Sequence, residues 1–143
     1  MNLTIIAQST VQVLLSTALL RCSGRITVGV TGPELLTKKT LPELILPMKD
    51  RIDGVVDFLE ASDPTVERNV VEINDIYGPA GVVPQLECIV GSLETERGCV
   101  AINKRRKSYS HKPNTLVKPV LICQFGLLRS QPKPTRFFST ILP

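Results

Sequence analysis

Val70-Val71-Glu72-Ile73-Asn74-Asp75-Ile76-Tyr77-Gly78-Pro79-Ala80-Gly81 is followed closely by Leu86-Glu87-Cys88-Ile89-Val90-Gly91-Ser92-Leu93-Glu94-Thr95. Each stretch opens on a short apolar run, Val70–Ile73 and Leu86–Val90, and passes straight into polar and glycine-containing sequence. Short apolar runs of this length read as strands buried on both faces. Polar residues at their carboxyl ends are what open α/β sheets use to bind ligands. The pair therefore predicts two strands of a parallel sheet with a site at their ends.

Working outward, the same alternation continues. Val11, Leu14, Leu15, Ala18 and Leu19 recur at the spacing of a one-faced helix. A secretory leader would need positive charge ahead of that apolar run, and residues 1–10 carry none, so a packed helix is the preferred reading. Ile26–Val30, bounded by Gly24 and Gly32, predicts a buried parallel strand. Thr40-Leu41-Pro42-Glu43 has the chemistry of a helix start. Ile52, Val55, Val56 and Leu59 give a second helical stripe, and Asp63-Pro64 ends it. Strand, helix, strand, helical crossover and strand imply a parallel α/β sheet.

The 143 residues suit one domain of ordinary size, with a core of Leu, Ile and Val and no Trp. Charge is unevenly placed. Residues 1–96 carry a net −6, and residues 97–143 hold ten Lys/Arg and no acidic residue. That pattern predicts a basic tail on an acidic domain. Cys22, Cys88, Cys99 and Cys123 form no C-x-x-C pair, which argues against a zinc site or a disulfide framework and for a reducing compartment, the cytoplasm or alternatively the mitochondrion. No apolar run reaches transmembrane length.

D-x-Y-G-P-A followed by x-V-x-S-x-E-T-x-x-G-x-x-x-I-N-x-x-R resembles the eukaryotic type of phosphopantetheine adenylyltransferase. That is the domain fused to dephospho-CoA kinase in bifunctional coenzyme A synthase, of the cytidylyltransferase-like nucleotidyltransferases. The resemblance runs from about Val11 to Lys107. It implies a Rossmann-like parallel sheet, incomplete at its first strand. The activity it implies is adenylyl transfer from ATP, with Mg²⁺ as a possible companion, to 4′-phosphopantetheine, giving dephospho-CoA and pyrophosphate. By the same resemblance Lys39, with Lys38 as a near alternative, binds phosphate, Arg51 is the arginine of P-x-x-x-R in the nucleotide- or substrate-binding set, Tyr77 and Gly78 form a ligand loop, Ser92, Glu94 and Thr95 form a nucleotide loop, and Asn103 and Arg106 complete I-N-x-x-R. Ser92 also reads as a helix N-cap, and Lys104–Lys107 as a solvated basic run.

One motif of that family is absent. Its H-x-G-H would fall at Ala7-Gln8-Ser9-Thr10-Val11-Gln12, and this chain holds a single histidine, His111. No catalytic residue is assigned, and a catalytically inactive chain with a remnant nucleotide site is the alternative to an active enzyme. Three regions are expected: an irregular 1–10, a nucleotidyltransferase domain over 11–107, and a basic, proline-interrupted, poorly ordered tail over 108–143. Nucleic-acid binding is not expected, because no aromatics interleave the basic run. Oligomeric state is left open.

Overall fold

A computed structural model describes residues 3–37, 45–92, 95–117 and 138–142; side chains are described for all of these except 3–10, 117 and 138–142. The elements in chain order are α1 (Leu3–Arg21), β1 (Arg25–Thr31), α2 (Pro33–Leu36), α3 (Met48–Ser62), β2 (Glu67–Ile73), α4 (Gly78–Val82), β3 (Cys88–Val90), α5 (Glu96–Ser108), β4 (Thr115–Val117) and β5 (Phe138–Leu142). The five strands form one sheet in the order β2-β1-β5-β3-β4, and every pairing is parallel. This is the expected Rossmann-like α/β class.

Helices cover both faces. On one, Leu14, Leu15, Ala18 and Leu19 of α1 and Val55 and Leu59 of α3 pack with Ile26, Val28 and Val30 of β1 and Cys88 and Val90 of β3. On the other, Ala80 of α4 and Cys99 and Ile102 of α5 pack with Ile89. The period-two alternation of a strand sends Ile89 to one core and its neighbours Cys88 and Val90 to the other. β1 is buried from Ile26 to Thr31, as a continuous apolar run between covered faces requires. β2 lies at a sheet edge and is mostly half-exposed, with Glu67, Arg68 and Glu72 along it. Charges of this kind discourage edge-to-edge pairing.

Local chemistry sets the ends. The α1 stripe matches the predicted helix, but the helix starts at Leu3, because residues 3–10 hold neither Gly nor Pro to stop it. The expectation of an irregular 1–10 therefore gives way to helix from Leu3. α3 ends where the Asp63 side chain accepts hydrogen bonds from the Thr65 amide (3.0 Å) and hydroxyl (2.6 Å), an Asx turn that competes with further helix. The predicted helix start at Thr40 lies outside the described residues. β3 is shorter than the apolar run Leu86–Val90, since the Leu86 carbonyl is held by the Arg106 guanidinium (2.9 Å) instead of a strand.

The largest departure concerns the C-terminal region. The domain was expected to end at Lys107, with little structure beyond it. Residues 118–137 lie outside the described residues, but β4 and β5 follow Lys107 and both join the sheet. β5 sits between β1 and β3, pairing Ile26–Val30 with Phe138–Leu142 on one side and Cys88–Val90 with Phe138–Thr140 on the other. The order of strand addition reverses between β1 and β3: the chain steps outward from β1 to β2, then returns past β1 to β3 and on to β4. Two parallel strands flanking an open slot need a third between them to satisfy their backbone groups, and Phe138-Ser-Thr-Ile-Leu142 has the β-branched and aromatic content of a strand.

Candidate functional site

The carboxyl ends of β1, β2 and β3 open on a cleft of about 230 Å³. Thr31 ends β1, Ile73 ends β2 and leads to Asp75 and Ile76, and Ile89 and Val90 come from β3. Leu35 of α2 and Thr95, Gly98 and Cys99 at the start of α5 close it. The walls are largely apolar, with Thr31, Asp75 and Thr95 as polar groups, a composition common to small-molecule sites. The cleft lies where open α/β sheets bind ligands, outside the strands' carboxyl ends beside a reversal of strand order.

The two turns that border the cleft are internally bonded. Asp75 Oδ1 accepts from the amides of Tyr77 (2.7 Å) and Gly78 (3.0 Å). Gly78 has φ +51°, and a Cβ there would lie 2.9 Å from Ile73 Cγ2, so glycine is required on two counts. The Tyr77 ring packs against the core cluster of Ala80, Ile89, Cys99 and Ile102, with the Arg105 guanidinium 4.3 Å from the ring centroid. In the second turn the Ser92 amide donates to Thr95 Oγ1 (2.9 Å), and the Thr95 amide to the Ser92 carbonyl (3.2 Å). The N-cap of α5 is Thr95 rather than Ser92, and no side chain makes a capping bond there. The first amides of α5 have no intrahelical partners and point toward the cleft's end of the helix.

Gly91 gives this turn its closeness: a Cβ there would fall 2.7 Å from Cys99 Sγ and 3.1 Å from Thr95 Oγ1. Gly91→Ala is expected to lower stability by about 1–3 kcal/mol and to weaken any ligand in the cleft, measured by thermal melting and by titration on the same sample. Burial, with Glu96 adding to it, raises the Cys99 thiol pKa, so Cys99 at neutral pH is a packed thiol rather than a nucleophile.

Arg51 reaches the same end of the sheet from α3. Its Nη1 donates to the Thr31 carbonyl (2.8 Å) and its Nε to that of Leu46 (3.0 Å). Burial lowers its pKa and Glu72 opposes the shift; an arginine stays charged throughout. The remaining nucleotide-loop and lysine assignments, Glu94 and Lys39, lie outside the described residues.

Two expected site residues lie elsewhere. Arg106 is fully buried, and all five of its N–H groups are taken by carbonyls: Nε by Lys112, Nη1 by Ala80 and Val83, Nη2 by Pro84 and Leu86. It stands ten residues along α5 from Glu96, about 15 Å at 1.5 Å per residue, near the amino end of β3. A phosphate in the cleft is out of its reach, and its role is to hold the α4–β3 connection to α5. Asn103 exchanges hydrogen bonds with the Asn114 backbone, donating to the carbonyl (2.9 Å) and accepting from the amide (2.7 Å). It positions the entry to β4. Thr31, Ile73 and Cys99 were not singled out in the sequence; Thr31 and Ile73 end strands, a position that signals a cleft wall once the strands are placed.

A scan against protein-family models finds none that matches the chain. Curated relatives are found. A phosphopantetheine adenylyltransferase of Saccharomyces cerevisiae is 38% identical over 95 residues, 66% of this chain and 31% of the relative. One of Pyrococcus horikoshii is 32% identical over 100 residues, covering 69% of this chain and 63% of the relative, and one of Thermococcus kodakarensis is 34% identical over 100 residues, 69% and 60%. The chain has relatives named phosphopantetheine adenylyltransferase. It spans less than two thirds of the length of each of these three. Its fold is similar to the crystal structure of a protein of unknown function from Archaeoglobus fulgidus, with a TM-score of 0.64 and 24% identity over 85% of each chain.

Proposed function

We propose that the cleft is a nucleotide site of the phosphopantetheine adenylyltransferase type, retained for weak binding of ATP and 4′-phosphopantetheine and not for turnover. The observation that supports this reading most is positional. The stretch that resembles the family supplies the Asp75–Gly78 and Ser92–Thr95 turns, and both border one cleft at the carboxyl ends of parallel strands. Arg51 stands at the end of β1, where a phosphate chain entering the cleft would meet it. The dipole of α5 places its positive end beside the cleft, which favours an anion. Among the described residues no three His, Cys, Asp or Glu side chains converge, so Mg²⁺ is proposed only as the counter-ion that ATP brings with it.

Adenylyl transfer depends on holding the triphosphate and the attacking phosphate in line and neutralising charge at the α-phosphate. One histidine in 143 residues cannot provide a pair of imidazoles, and Arg106 is committed to carbonyls. Removing a single preorganised oxyanion-hole donor in an acyl-transfer enzyme costs about 2.7–4 kcal/mol, a guide to what one lost charge-stabilising contact is worth. Pyrophosphate release from ATP and 4′-phosphopantetheine is therefore expected to be negligible, and turnover near about 1–10³ s⁻¹ would show that catalysis survives. Binding is tested separately. ATP with Mg²⁺ should shift amide resonances of Gly91–Gly98 and Ile76–Ala80, with a Kd on the order of millimolar, about −4 kcal/mol. Shifts elsewhere only, with those two turns unmoved, would refute the site.

Among the described residues no helix is long and apolar enough to cross a membrane. We propose a reducing compartment, because the four cysteines are widely spaced and form no C-x-x-C pair.

A further inference from the structure

We propose that β5 and α1 form the central β-α unit of a doubly wound sheet, entered out of chain order, and that the carboxyl end of β5 is the floor of the cleft. Doubly wound sheets run in the order 3-2-1-4-5-6, with the ligand crevice outside the carboxyl ends where that order reverses, beside strand 1. The order here, β2-β1-β5-β3-β4, follows the same series position by position when β5 is counted as strand 1 and β1 as strand 2. Every pairing is parallel, so β5 points the same way as the strands on either side of it.

The crossovers agree in hand. α3, between β1 and β2, lies on one face of the sheet; α4 and α5, on the steps from β2 to β3 and from β3 to β4, lie on the other. Those later steps cross the sheet in the opposite direction, so one hand for all parallel crossovers requires this division. A step from β5 to β1 runs in the same direction as the step from β1 to β2, and its helix belongs on the face of α3. α1 is there, packed on β5 and on α3. It enters β1 through Cys22–Gly24 and runs antiparallel to it, so its amino end lies toward the carboxyl edge of the sheet. Its 19 residues span about 28 Å and the 7 of β1 about 23 Å, enough to reach that edge. β5 finishes at the same edge, with Leu142 level with Val30 on one side. On the other, Thr140 is level with Val90, the last residue of β3, so β5 runs two residues further. Thr31 and Val90, from the strands flanking β5, both line the cleft, and the end of the strand between them lies beneath it. The end of β5 and the start of α1 thus meet beside the cleft, as a strand and the helix that follows it do in a β-α-β unit.

The β-α unit is tested by closing the full chain on itself, residue 143 to residue 1, through a Gly-Ser linker of about six residues, which spans on the order of 13 Å. Where the two ends meet, closure restricts the unfolded chain and leaves the native one unstrained. The cyclic chain should then melt cooperatively, about 5 °C or more above the linear chain carrying the same linker residues. A cyclic chain that melts no higher than the linear one, or lower, would place the two ends apart and overturn the unit. The floor assignment rests on the nucleotide reading of the cleft and has its own readout. Titration with ATP and Mg²⁺ should move the backbone amides of Ile141 and Leu142 together with those of the Ile76–Ala80 and Gly91–Gly98 turns. Both turns moving while Ile141 and Leu142 stay still would overturn the floor. A titration that moves none of them would count against the nucleotide reading instead, and the melting of the cyclic chain would still decide the β-α unit.

Discussion

Thr140→Pro is expected to abolish the cooperative thermal transition. Thr140 sits in the middle of β5 and pairs with Val28 on one side and Val90 on the other. Proline removes the backbone donor and is tolerated in sheets only at edges, bulges or first positions. The loss is not confined to one bond. With β5 displaced, β1 and β3 have no partner on their facing sides, and the cores above and below the sheet lose the strand that joins them. Proline in a helix interior costs about 3 kcal/mol or more; in a central strand it removes a ladder hydrogen bond and displaces its neighbours, against total stabilities of about 5–15 kcal/mol for natural domains. Circular dichroism melting would show a broad or absent transition, while Thr140→Val, which keeps the β-branched shape and the donor, should melt like the natural chain. A sharp, unshifted transition in the proline variant would mean that the sheet holds together without β5.

Arg106→Met is expected to lose stability on the order of 4 kcal/mol, read as a lower urea midpoint at constant m-value. Five carbonyls, from Ala80, Val83, Pro84, Leu86 and Lys112, would lose their donors. Each unsatisfied buried group costs about 1–3 kcal/mol, partly relieved by relaxation and water entry. Arg106→Lys should recover a minor part, since an ammonium has three donors on a flexible stem and cannot match a fixed five-donor fork. Burial lowers the Arg106 pKa, but a guanidinium remains charged, so the deficit should be the same at pH 6 and pH 8. The comparison also separates structure from ligand binding. Were Arg106 a phosphate ligand, Arg106→Lys would unfold at the natural midpoint and bind ATP less well.

The sequence by itself determined the parallel α/β class and the places of most elements. Its apolar runs and stripes have the periods of buried strands and packed helices, and Gly, Asp and Pro punctuate them. It also marked the Asp75–Gly78 and Ser92–Thr95 turns, because a polar group directly after an apolar run can only emerge at a strand's end. What it could not determine was reach. I-N-x-x-R reads as a ligand motif, yet Asn103 and Arg106 lie one and two helical turns or more beyond the cleft wall, and only the packing of α5 on α4 and β3 shows carbonyls waiting for them. Basic and aromatic residues far apart in the chain, Tyr77 and Arg105, likewise become neighbours only through that packing. The position of β5 was decided at the same level. Its five residues look like any short apolar segment at the end of a proline-interrupted stretch. Their place at the centre of the sheet comes from the unpaired backbone edges of β1 and β3, which no local pattern in Phe138–Leu142 encodes.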